Sequence, residues 1–130
     1  MSDYLPIFLP GSVATLTTSG AVTGGQLLAV SGSGTVAPAA AGAANYIGVA
    51  AGDAPSGGRV AFYPRGVIHE TVADGDITAG GQLQTGATGK IKALAAASGN
   101  AAGDINAARS AVGVALTTGT DTNSVRWMAW

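Results

Sequence analysis

A phrase that returns within one short chain limits the fold to solutions that use one unit twice. The stretch "AVTGGQL" at 21–27 comes back, with one residue added, as "DITAGGQL" at 76–83. Gly24-Gly25-Gln26-Leu27 therefore recurs as Gly80-Gly81-Gln82-Leu83 at an offset of 56, while "IGVA" at 47–50 recurs as "VGVA" at 112–115 at an offset of 65. Nine extra residues fall between the two marks in the second copy. Further matches keep the order: 11–15 faces 66–70, and "RVAFYP" at 59–64 faces "VRWMAW" at 125–130, with Val60 opposite Val125 and Phe62 opposite Trp127. Internal periodicity of this kind precedes any assignment of elements. It predicts two related halves, about 11–65 and 66–130, within a single domain at 11–130, preceded by an arm at 1–10.

Each half reads as short strands joined by tight turns. Apolar and polar residues alternate in "SVATLT", "RVAFY" and "KIKA", while "SGSG", "DAPSGG", "ADGD", "TGATG" and "TTGTDTN" supply the Gly, Asp and Asn that turns require. The expected fold class is all-β, a compact sandwich or barrel-like domain with little helix. The exception is the alanine-rich insertion at 95–111, where Asp104 is placed to cap a single helical turn. In both copies of the Gly-Gly corner a positive φ is expected, with Leu27 and Leu83 starting core strands. Neither copy has the spaced glycines or the Gly-Lys-Ser/Thr ending of a phosphate loop.

Composition sets the energetic scale. Of the hydrophobic 47%, 27 residues are alanine, and glycine adds 21 more. Burial stabilises in proportion to apolar area, at roughly 25 cal/mol per Å2, so a chain poor in large side chains has a thin core and gains from contact with other chains. The net charge of −1 gives no footprint for nucleic acid, and Arg59, Arg65, Arg109, Arg126, Lys90 and Lys92 are dispersed rather than clustered. The absence of cysteine excludes disulfides and thiolate zinc sites. The N-terminal stretch lacks a basic n-region, and Pro6 and Pro10 interrupt an apolar run too short to span a bilayer. A soluble, unprocessed chain with no membrane contact is expected.

The candidate chemical groups are few. His69-Glu70 places the only histidine beside the only glutamate, but strand neighbours point to opposite faces, so a solvated pair is expected rather than an acid–base pair. Asp74-Gly75-Asp76 resembles part of a calcium loop without its later ligands and reads as a turn with two exposed carboxylates. No nucleophile elbow is present. Catalytic residues, metal ligands and cofactor sites are therefore all expected to be none.

The aromatic residues are more informative. Tyr4 and Phe8 near one end and Trp127 and Trp130 near the other account for four of seven. Trp127 repeats the position of Phe62 and is expected in the core. Tyr4, Leu5, Ile7, Phe8 and Leu9, an apolar run that its prolines keep from forming a helix, are expected with Trp130 to bind a partner.

Taken in order, "AVTGGQL", "YIGVAAGDAPSGGRVAFYPRGVI", "DITAGGQLQTGATGKI" and "AVGVALTTGTDTNSVRWMAW" resemble the head decoration, or capsid cement, proteins of tailed bacteriophages over nearly the whole chain. The resemblance implies a structural protein of the virion, made in the bacterial cytoplasm. It would bind the outer surface of the icosahedral shell and brace neighbouring major capsid protein subunits, often as a homotrimer, without catalysis. The insertion at 95–111 departs from that pattern. A carbohydrate-binding or adhesive β-module is the alternative, and the scarcity of aromatic residues in the internal loops counts against it.

Overall fold

The computed structural model describes residues 13–95, 99, 101, 102, 105 and 109–130. The arm at 1–10, with Tyr4, Leu5, Ile7, Phe8 and Leu9, lies outside the described residues, as does Asp104. The fold is all-β. Among the described residues ten strands follow one another: β1 (Ala14–Thr18), β2 (Leu27–Gly32), β3 (Thr35–Pro38), β4 (Tyr46–Ala50), β5 (Arg59–Pro64), β6 (Ile68–Val72), β7 (Gln82–Thr85), β8 (Ile91–Ala93), β9 (Gly113–Ala115) and β10 (Ser124–Ala129). A 3-10 turn at Ala87–Gly89 joins β7 to β8, and within the insertion Ala102, Ile105 and Arg109 are helical.

The first five strands close into a barrel in the order β1-β3-β2-β4-β5, with β5 returning to β1. The last five form a sheet in the order β6-β10-β9-β7-β8, whose edges meet at one parallel bridge between Ala73 and Ile91. These are the same arrangement, because the pairings recur residue by residue. Ala14–Phe62 recurs as His69–Trp127, Thr18–Val36 as Ala73–Ile91, and Gly48–Pro64 as Gly113–Ala129.

The register corrects the literal alignment by one residue. Leu28 pairs with Gly48 and Leu83 with Gly113, so Leu83 occupies the place of Leu28, not of Leu27. The offset is 55 from β1 through β3 (14 to 69, 36 to 91) and 65 afterwards (48 to 113), and the insertion is ten residues, not nine. A one-residue shift in a strand exchanges its faces. Leu28 accordingly packs inside the barrel with Val22, Val36, Val60 and Phe62, whereas Leu27 points out of it.

The corner behaves the same way. Gln26 N–H donates to the Thr23 carbonyl at 3.1 Å and Gly81 N–H to the Thr78 carbonyl at 3.0 Å, so the turns are Thr23–Gln26 and Thr78–Gly81. Positive φ falls on Gly25 (+90°) and Gly80 (+84°). The left-handed glycine of the second copy is therefore Gly80; Gly81 is the last residue of that turn, where the first has Gln26. Both corners are held by the loop that follows the Gly-Val-Ala strand: Val22 and Ala54 exchange backbone hydrogen bonds, as do Ile77 and Gly119. The Gly24 amide donates to Asp53 Oδ1 and the Ala79 amide to Thr118 Oγ1.

The halves differ in what surrounds them. The outward face of β2 and β4, with Leu27, Ala29, Tyr46 and Val49, joins one apolar cluster with Ile77, Leu83, Ile91, Val125 and Trp127 of the second half. Barrel interior and junction are thus separate cores in the first half and a single core in the second.

Candidate interaction surface

The junction is built by the β7–β8 turn seated on the first half. Thr85 Oγ1 donates to the Ala40 carbonyl at 2.8 Å and accepts from the Ala43 amide at 2.7 Å, and the Gly42 amide donates to the Thr85 carbonyl. The Gly89 amide reaches the Ala39 carbonyl at 2.8 Å, while Gln26 Nε2 donates to the Thr88 carbonyl at 3.2 Å. Beside it, Arg65 Nη2 donates to the Tyr46 carbonyl and the guanidinium lies 5.2 Å from the ring centre. The Tyr46 hydroxyl is buried without a hydrogen-bond partner; burial pushes its pKa up to about 12, against a smaller opposing pull from Arg65.

A groove of about 450 Å3 runs between the Thr23–Gln26 corner and the seam of the second sheet, with Glu70, Val72 and Lys90 on its far wall. It exists because the seams differ: Thr17–Thr35 and Thr18–Val36 both pair in the barrel, but only Ala73–Ile91 pairs in the second sheet. Its walls combine glycine backbone and Thr and Ser residues with Gln26, Glu70, Val72 and Lys90. The Glu70 carboxylate is held by Arg126 Nη2 at 2.8 Å in an exposed ion pair. No nucleophile–base pair is assembled there.

His69 is not the solvated residue expected from the sequence. It replaces the interior Ala14 of the first half, and its ring lies 5.9 Å from Tyr63 and 5.6 Å from Trp127, with Nε2 buried and unpartnered. Only Glu70 faces outward, so the two do not cooperate. Desolvation lowers the His69 pKa below 6.5. Because the folded value lies below the unfolded one, the stabilisation is complete above pH 6.5. It is lost as pH falls through 6.5 toward the lower folded value. Thermal melts should show the midpoint falling between pH 7.5 and 5.5 in the native chain and falling less in His69→Gln, which cannot titrate; equal slopes would remove His69 from this role.

Asp76 is exposed as expected and Asp74 is half-buried, and both carboxylates also bond to backbone. Asp74 Oδ2 accepts from Ala87 N–H at 2.9 Å and Asp76 Oδ1 from Asp121 N–H at 3.0 Å, while Asp121 Oδ1 accepts from Gly75 N–H at 2.8 Å. They brace turns, and among the described residues no group of three or more metal-ligating side chains is assembled.

The fold also displays apolar side chains outward. On the solvent face of the β6–β10 pair, Ile68 (56% exposed) lies opposite Met128 (39%), next to the Glu70–Arg126 ion pair. The equivalent first-half positions are Val13 and Tyr63, one step beyond the Ala14–Phe62 pair, and they too are exposed. The duplication has thus kept an exposed apolar pair in both halves. Its signal in sequence was the pairing of the ends of "GSV" with "AFY" and of "GVI" with "RWM", legible only once the strands are paired. Trp130 is 44% exposed, and its amide extends the β10–β9 ladder by donating to the Val112 carbonyl at 2.9 Å.

No protein-family model matches the chain, and neither does any curated protein. Among solved structures, the N base of head fiber gp8.5 in bacteriophage phi29 superimposes with a TM-score of 0.66 at 22% identity, over 92% of this chain and 93% of that one. The fold is similar to that of a phage head protein. At this identity the likeness speaks for the fold, and it spans both halves, not one of them.

Proposed function

We propose that this chain is a structural protein of a phage virion that binds the outer surface of the capsid and cements neighbouring major capsid protein subunits, as a homotrimer and without catalysis. The observation that carries the reading is the likeness, over nearly the whole of both chains, to a protein of a phage head. The order of the sequence motifs supports it. The contact surface assigned to the shell is the 1–10 arm with Tyr4, Leu5, Ile7, Phe8 and Leu9, together with Trp130. The exposed Ile68–Met128 pair adds apolar area of the kind that marks interaction sites.

Mixing the protein with undecorated expanded shells tests this directly: co-sedimentation at a saturating stoichiometry is expected, and none at any concentration would overturn it. Deleting residues 2–9 should leave thermal unfolding near normal while weakening co-sedimentation severely. An unfolded or aggregated product would place the arm in the domain's own core instead.

A further inference from the structure

We infer that two copies of this chain join head to tail, the β2–β3 turn of one copy seating on the β7–β8 edge of the next and repeating between chains the contact that joins the two halves within each. Within the chain, the β7–β8 turn is the inserted element and the β2 edge with Gln26, Leu27 and Ala39 is the acceptor. Both elements exist twice, at an offset of 55, and each is used once. The spare insert is the β2–β3 turn at 31–34, with every residue exposed. The spare acceptor is Gly81, Gln82 and Leu94, where Gly81 and Gln82 are exposed and Leu94 is half-buried, while their counterparts Leu27 and Ala39 are fully covered.

The spare parts match the used ones in backbone form, while Gly81 in place of Gln26 and Val30 in place of Thr85 cannot repeat those two residues' side-chain hydrogen bonds. Gly34 ends its turn at φ +73° where Gly89 ends the other at +72°. The Leu94 amide donates to the Gln82 carbonyl at 2.9 Å as the Ala39 amide does to Leu27, so the acceptor backbone is formed the same way. Val30 stands where Thr85 is wholly buried, yet it is 42% exposed, an apolar side chain at a position whose twin is an interface centre. Neither surface carries a charged side chain at 30–34 or at Gly81, Gln82 and Leu94, so desolvation costs little. The contact is heterologous, using different patches on the two partners, and such a contact closes into a ring when its rotation permits. The inference gives the self-association of the proposed function a defined surface, and it rests on that reading for the number of chains in the ring.

The chain has no cysteine, which makes the test direct. Ser33→Cys and Gln82→Cys, combined in one chain, should give reducible covalent dimers and larger species under mild oxidation. Each single variant alone should give only background dimer, and mixing the two singles should give one heterodimer and nothing larger. Val30→Asp should weaken association at least tenfold in sedimentation while leaving the monomer's melting temperature unchanged. Absence of cross-linking in the double variant, or equal cross-linking in a single variant, overturns the inference. A chain that co-sediments with shells without cross-linking loses this inference alone, and one that cross-links without co-sedimenting loses the capsid reading alone.

Discussion

Trp127→Ala is expected to lower stability by about 3–5 kcal/mol, the range for truncating a buried large aromatic, and the thermal midpoint by ~10 °C or more. Trp127 is fully buried in the core that the second half shares with the junction, so a cavity there loosens both. Its indole Nε1 also donates to Thr71 Oγ1 at 2.9 Å in the interior, and removing the donor leaves a buried hydroxyl unpaired. The first half shows how the site works without that bond. Phe62 stands in place of Trp127 and Leu16 in place of Thr71, an apolar pair at the same two barrel positions. Trp127→Phe alone should therefore be costly, and Trp127→Phe with Thr71→Leu should recover part of the loss. Urea unfolding of the three variants measures the coupling. Equal loss in Trp127→Phe and in the double variant would show that the two positions act independently.

That comparison marks what a reader of the sequence alone could see. The pairing of Phe62 with Trp127 and of Val60 with Val125 was legible, because β5 and β10 alternate strictly between the interior and solvent, and strict alternation is visible as a string. The Gly-Val-Ala strand was equally plain. The one-residue slip at the corner was not. "GGQL" matches "GGQL" letter for letter, but Gly81 closes the second turn whereas Gly25 holds the central positive-φ position of the first, and only hydrogen-bond register tells the two apart. His69 departs from expectation for a related reason: its face is fixed by equivalence to Ala14, and a half-buried histidine in place of an interior alanine breaks the apolar pattern. The junction was invisible, since Leu27, Ala29, Tyr46 and Val49 are strand residues whose outward face is covered only by the other half. A chain with a net charge of −1 and few large side chains offers little else to read on its surface.

Gly48 and Gly113 give the sharpest test of the duplicated architecture, because they recur at the same place for a steric reason. A Cβ on Gly48 would run into the Tyr63 carbonyl oxygen and lie 2.9 Å from Phe62 Cδ2. One on Gly113 would run into the Met128 carbonyl oxygen and lie 2.8 Å from Trp127 Cε3. In each half the glycine lets β4 or β9 pass directly beside the strand that carries the interior aromatic ring, Phe62 or Trp127, so the ring can approach the glycine backbone closely. Part of the obstacle is main chain held in a ladder, Gly48 opposite Pro64 and Gly113 opposite Ala129, so it cannot swing aside as the end of a flexible side chain would. Overpacking of a fixed core costs about 1–3 kcal/mol and sometimes more, and the upper end is expected for both Gly48→Ala and Gly113→Ala. Gly52→Ala is the control, since a Cβ there meets nothing within 4 Å and the residue does not have a positive φ; it should be neutral or slightly stabilising through the unfolded chain. Gly113→Ala should lose more than Gly48→Ala, because Trp127 belongs to the core that also holds the halves together, whereas Phe62 serves the first barrel alone. Urea midpoints read the order, and a Gly113→Ala chain as stable as the Gly52→Ala control would mean that β9 and β10 do not approach as closely as this fold requires.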